Sequence, residues 1–192
     1  MQFFKTNRGV IAYWFLSLIT FGIYPLYFIH RVHVELNEAC KDDGKKTRGF
    51  LLYFFFGIIT LGIYPICWWC FAANRMNDMM TRNNMKARIS AVSWICWNIF
   101  GSLLFGLGPI IAMYKFIHSL NDVNEIHNQQ VRASITANQT AQATAAAVAA
   151  AQAAIAAQQA AAQQAAVAAA QQAAEAAVVA PVEQIETKTE EN

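Results

Sequence analysis

Apolar and polar residues fall along this chain in long blocks rather than at the period of a strand or an amphipathic helix. Residues 10–29, 50–73 and 91–114 hold no charged side chain over 20, 24 and 24 positions, against the roughly 17 to 25 residues a membrane-spanning helix needs. A soluble core helix keeps a polar face; these runs are apolar all round. The connectors KDDGKKT at 41–47 and TRNNMKA at 81–87 have turn chemistry and no apolar face.

Each run is interrupted by the same five-residue device: FGIYP at 21–25, LGIYP at 61–65 and FGLGP at 105–109. Gly22, Gly62 and Gly106 weaken the helix by backbone freedom, and Pro25, Pro65 and Pro109 remove a donor and clash one turn back. The pattern predicts a kink or break in every run. In hydrocarbon the freed backbone groups need partners, and Thr20 and Thr60, five residues before their prolines, are placed to supply them.

The register extends beyond the device. Eleven residues after each proline comes Leu36-Asn37-Glu38, Met76-Asn77-Asp78 or Leu120-Asn121-Asp122, and ten residues after each acid comes Arg48, Arg88 or Arg132. Spacing shared at four kinds of position predicts three tandem copies of one unit, over about 8–47, 48–87 and 88–132. The third copy is looser: its run is four residues longer before the break, Gly108 replaces the tyrosine, and Asn98 sits among apolar residues.

Past Arg132 the composition changes. Residues 141–180 hold 25 Ala and 8 Gln, a low-complexity, alanine-rich stretch of high helix propensity. Recurrent glutamines and Glu175 speak against a membrane span there. A coiled coil has thin support, since Val148 and Ile155 are seven apart but only alanines continue the series. Pro181 is expected to end the helix, leaving 181–192 as an acidic, disordered end.

Charge sharpens the division. Residues 1–132 carry 13 basic against 7 acidic side chains, whereas 133–192 carry one lysine against five glutamates. A basic membrane body suits an anionic cytoplasmic leaflet. Nucleic acid is a poor partner, because the cations flank hydrocarbon-length segments instead of forming one stripe. The first run lacks a small-residue cleavage site and reads as a retained anchor rather than a targeting peptide.

The pattern T-[FL]-G-I-Y-P, carried by Thr20 to Pro25 with Asn37 and by Thr60 to Pro65 with Asn77, resembles the bacterial membrane proteins grouped as domain-of-unknown-function family 4234. The resemblance covers roughly residues 8–132. It implies an integral membrane location, in the bacterial inner membrane, and brings no catalytic residues with it. Gly108 is where the third copy departs.

Candidate chemistry is sparse. Cys67 and Cys70 stand three apart on one helix face, a redox spacing in a soluble βαβ setting; in apolar surroundings thiolate is disfavoured, and packing is the plainer reading. His30, His33, Glu35 and His118 could in principle gather a divalent metal, though interfacial histidines explain them as well. The pairs Glu38 with Arg48, Asp78 with Arg88 and Asp122 with Arg132 suggest headgroup anchoring. No P-loop, HExxH, nucleophile elbow or dinucleotide fingerprint occurs.

The sequence therefore predicts an all-α integral membrane protein: three kinked or broken transmembrane helices in residues 1–132, an Ala/Gln-rich helical tail over 133–180, and no enzyme activity, cofactor or metal. Its expected role is structural or interactive, with the bilayer as one partner and a protein or second copy met through the tail. A small transporter or channel component using the GxxP breaks is the alternative, and a membrane thiol-redox protein ranks below it. Three crossings would put six basic residues on one face and seven on the other, which is no bias at all. An arrangement with all connectors on one side stays open, but run length favours crossings.

Overall fold

The computed structural model describes residues 2–103 and 106–189, and the chain divides into two compact units, Met1–Ser134 and Ile135–Asn192. All regular structure among the described residues is helical: α1 (Val10–Ile19), α2 (Ile23–Ala39), α3 (Phe50–Ile59), α4 (Ile63–Arg82), α5 (Ala91–Ile99) and α6 (Gly108–Thr189), with 3-10 turns at Lys41–Asp43 and Gly101–Leu103.

The apolar runs do not pass through their breaks. Phe21 and Leu61 take φ of 48° and 50°, and Gly22 and Gly62 after them take 88° and 90°. Two successive left-handed residues turn the chain back on itself, where a proline alone would only kink it. Tyr13 thus meets Phe28 with ring centroids 5.0 Å apart, and Tyr53 meets Trp68 at 5.4 Å; in continuous helix each pair would stand about 22 Å apart. On the third unit Trp94 lies 5.6 Å from Phe116 and the Lys115 ammonium 5.3 Å from the Trp97 ring. The expected kinked crossings are therefore three helical hairpins, α1 with α2, α3 with α4, and α5 with the start of α6. Their first arms have 10, 10 and 9 residues, about 15 Å of helix, half of a hydrocarbon core of about 30 Å.

At the first two reversals every backbone donor finds a partner within the turn. Thr20, Phe21, Gly22 and Ile23 donate to the carbonyls of Leu16, Leu18, Ser17 and Thr20. The Tyr24 N–H donates to Thr20 Oγ1 at 2.9 Å, while that hydroxyl donates to the Leu16 carbonyl at 2.7 Å. Pro25 has no N–H to place. The second reversal repeats the scheme bond for bond, ending with Tyr64 N–H on Thr60 Oγ1 at 2.9 Å. The residues of the device thus divide the turn between them. Threonine closes the first turn of the returning helix, glycine supplies the left-handed step, and proline stands where a donor would be orphaned.

In the third hairpin Leu104 and Phe105, the latter opening the FGLGP device, lie outside the described residues; Gly106 takes φ 74°. A Cβ on Gly108 would stand 2.0 Å from the Trp97 carbonyl oxygen and 2.3 Å from the Gly101 carbonyl carbon. Gly108 replaces tyrosine because two backbones touch there.

The returning arms pack side by side. Trp69 stacks on Trp94 at 5.0 Å and on Phe28 at 6.5 Å, and meets Phe116 edge-on at 4.7 Å. The same offsets from the proline are buried in each arm: Phe28, Trp68 and Ala112; Val32, Ala72 and Phe116; Leu36, Met76 and Leu120; Ala39, Met79 and Val123. Such a three- and four-residue rhythm is the core stripe of a helix. It places all three tips at one end and the connectors at the other.

The second unit is helix to Thr189, with side chains exposed from 136 to 174. The helix continues through Pro181 instead of ending there, as alanine, glutamine and glutamate around it favour the helix against the roughly 3 kcal/mol that an internal proline costs. Part of the predicted disordered end, 181–189, is therefore helical; residues 190–192 lie outside the described residues.

Replacing Thr60 by Val keeps shape but leaves the Tyr64 N–H without an acceptor. We expect a loss of about 1–3 kcal/mol, measured as thermal unfolding in detergent, with Thr60→Ser close to wild type. Equal stability of the Val and Ser variants would show that the hydroxyl does not close the turn.

Candidate functional site

The end carrying the connectors is built from charges and amides on the last turns of the returning arms. One register position, ten residues after each proline, is occupied by Glu35, Arg75 and Ser119, all buried. A buried charge must be paired and hydrogen-bonded, and both are.

Glu35 receives Arg8 on both oxygens, at 2.5 and 2.7 Å, together with Arg31 at 2.9 Å and the Asn124 amide at 2.8 Å. Two guanidinium groups and an amide leave no lone pair directed at a ligand. Arg75 takes Asp43 in a bidentate pair at 2.6 and 3.0 Å, and also donates to Asn37 Oδ1, Thr47 Oγ1 and the carbonyls of Cys40 and Lys45. It thereby fastens the 40–47 connector to α4. Burial alone pushes the Asp43 carboxyl up, but hydrogen bonds from Arg75 and the Lys45 amide, with the Arg75 and Arg82 charges, outweigh it and hold the group below the usual carboxylate range. The neighbouring Cys40 thiol, which donates to Met79 Sδ at 3.3 Å, is pushed by burial up to about 11.

Asparagines brace extended chain against the arms. Asn37 accepts from Thr47 N–H and donates to its carbonyl, at 2.8 and 2.9 Å; Asn121 does the same to Arg8 at 3.2 and 3.1 Å, and Asn128 to Phe4 at 2.8 and 2.8 Å. Asn124 adds the Lys5 carbonyl at 3.0 Å, and Phe4 stacks on His127 at 4.7 Å. Residues 4–8 are thus held along α6 through main-chain contacts. The spacing Asn121, Asn124, Asn128 on one helix face was the available signal for this ladder, and sequence reasoning passed over it.

The opposite end is apolar and open. Phe21 and Leu61 at the tips are 96% and 93% exposed, and Ile11, Leu18, Phe55, Ile59 and Phe100 extend that surface along the first arms.

Several sequence expectations change. The acids pair with the connector before their own hairpin, Asp78 with Lys45 at 2.9 Å and Asp122 with Arg88, not with the arginines ten residues on. The reversal brings that earlier connector alongside, while Arg132 lies 5.9 Å from the Phe3 ring. His30 and His33 are neighbours with ring centroids 6.2 Å apart, but His118 packs on Tyr114, and Glu35 is already saturated. Among the described residues no three His, Cys, Asp or Glu side chains gather into a metal site. Cys67 is exposed and Cys70 half-buried, both free thiols. One helix, within 108–174, is long and apolar enough to cross a membrane by length and composition, with a mean hydropathy of 1.2 and none of that window buried.

The family described as Domain of unknown function (DUF4234) matches residues 8–57 and again 48–122. No curated protein and no solved structure matches the chain.

Removing the Asp43 carboxylate strands a buried guanidinium, and Asp43→Ala should cost about 3 kcal/mol or more. Because the folded-state value of Asp43 is depressed, its stabilisation is present above the unfolded value near 3.9 and is lost as pH falls through the folded one. Thermal unfolding followed from pH 7 to 3 should show wild type losing stability below about pH 4, with a shallower loss in Asp43→Asn. Parallel profiles would show that the pair carries none of the acid sensitivity.

Proposed function

This chain belongs to the DUF4234 family, and from that premise we propose a membrane-seated structural or interaction role in which three hairpins dip into one leaflet. The observation that carries this reading is the completed reversal at Thr20 to Pro25 and Thr60 to Pro65, where no N–H is left open although Phe21 and Leu61 stand fully exposed. A turn of that kind is compatible with hydrocarbon, which tolerates no unpaired backbone donor. First arms of about 15 Å reach only to mid-bilayer. The basic residues of the connectors, Lys41, Lys45, Lys46 and Arg48 with Arg82, Lys86 and Arg88, then share one face, which fits the anionic cytoplasmic leaflet of a bacterial inner membrane.

On this reading the chain is not an enzyme. Glu35 and Arg75 are spent on holding the N-terminal stretch and the 40–47 connector, and Cys67 and Cys70 act as packing atoms. A transporter using the breaks is disfavoured because the first two breaks offer no free backbone dipole to a substrate. The exposed Ala/Gln helix is the surface through which a protein partner or a second copy would be met.

Single cysteines at Lys45, Lys86 and Gln130, in a chain lacking its native thiols, should all label from the cytoplasmic face alone; alternating accessibility would restore three crossings. Deleting residues 135–192 should leave the protein in carbonate-washed membranes. Release of the shortened chain would move the anchor to the Ala/Gln helix.

A further inference from the structure

Beside the third hairpin, a hollow of about 520 Å³ at the connector end is lined by Lys86, Arg88, Lys115, Tyr114 and Asp122, among others. Asp122 is engaged by Arg88, and the Lys115 ammonium is held over the Trp97 ring at 5.3 Å. Three cations thus face one carboxylate, leaving an excess of two positive charges around a hollow of phosphate size. Tyr114, half exposed, also lines a second groove of about 480 Å³ between the start of α1 and α6, where Val10, Ile11, Ile110 and Ile111 offer only apolar surface. The two hollows are therefore contiguous through one amphipathic ring: a cationic shelf toward the connectors and an apolar channel toward the tips.

We propose that this paired hollow is a binding site for one anionic phospholipid, its phosphate on Lys86, Arg88 and Lys115 and an acyl chain along Val10, Ile11, Ile110 and Ile111. The inference rests on the membrane reading and adds to it a specific lipid class. A free phosphate would use the shelf but not the groove; a zwitterionic lipid would use the groove but bring its own cation to the shelf. The corresponding hollow at the first two connectors shows that the shelf is not a general property of this end. There Asp42, Asp43 and Asp78 outnumber Lys45 and Arg82, which repels an anion.

The test uses the full chain in neutral detergent, with binding of phosphatidylglycerol, phosphatidylcholine of the same acyl chains, and inorganic phosphate read by native mass spectrometry. One phosphatidylglycerol should bind roughly tenfold or more tightly than phosphatidylcholine. Lys86→Ala with Lys115→Ala should abolish that preference, while Lys41→Ala with Lys46→Ala, exposed on another connector, should keep it. Should loss of Lys115 from Trp97 impair folding, exposed Lys86→Ala alone carries the test with a several-fold loss. Equal affinity for the two lipids, an equal loss in the Lys41 and Lys46 variant, or displacement of lipid by millimolar phosphate would each overturn the site. Carbonate washing of the same variants separates the two ideas: a retained chain without lipid preference sinks the site alone, and a released chain sinks the membrane reading with it.

Discussion

The structure depends on reversing an apolar helix without leaving a backbone donor open. A helix end normally exposes four N–H groups, and water satisfies what the chain does not. Lipid offers no such help. The solution here uses one hydroxyl, one left-handed pair and one proline: Thr20 or Thr60 accepts from the tyrosine N–H, Phe21-Gly22 or Leu61-Gly62 makes the turn, and Pro25 or Pro65 removes the next donor. Phenylalanine and leucine at positive φ are locally strained. Their side chains stand almost wholly exposed, which an aqueous protein would gain little from and a lipid leaflet would reward at about 25 cal/mol per Å².

With the tips settled, the returning arms carry the rest. Their shared stripe buries Val32, Ala72 and Phe116 and, one turn on, Leu36, Met76 and Leu120, so the bundle is held by ordinary packing of long second arms. Charges enter only where the arms leave that stripe. Glu35 and Arg75 occupy the same register position with opposite sign, and each recruits a different connector: Arg8 from the extended N-terminal stretch for one, Asp43 from the 40–47 loop for the other. Ser119 fills the third place, and its hydroxyl has no partner among the described residues. That asymmetry fixes which connector lies against which arm, a specificity that equal hydrophobic stripes cannot supply.

Family membership and geometry point the same way on function, toward a body whose two ends face different media rather than toward a reaction centre. The buried ionisable groups are consumed by the chain itself: Glu35 by two arginines, Arg75 by Asp43 and loop carbonyls. What remains available is surface, apolar at the tips and cationic around Lys86, Arg88 and Lys115. Recognition by surface suits lipid and protein partners better than small polar substrates.

Read alone, the sequence determined the helical class, the places where each run breaks, and the change of character past Arg132, because these rest on local properties: the absence of charge over twenty or more residues, glycine freedom, a missing proline donor, and alanine's propensity. It also marked Thr20 and Thr60 as the groups that would satisfy the break. Direction was beyond it. Whether Gly22 and Pro25 kink a helix or reverse it turns on the sign of φ at Phe21 and Gly22, and no residue type forces phenylalanine into the left-handed region; only the contact of Tyr13 with Phe28, gained on reversal, does so. The ion pairs were misassigned for the same reason, since constant spacing of Asp122 and Arg132 suggested a local pair while the returning arm carried Asp122 to Arg88. Burial of Glu35 and Arg75 was likewise a tertiary decision: their places on the stripe were legible, but the arginine and aspartate that make burial tolerable come from connectors that only the folded hairpins bring near.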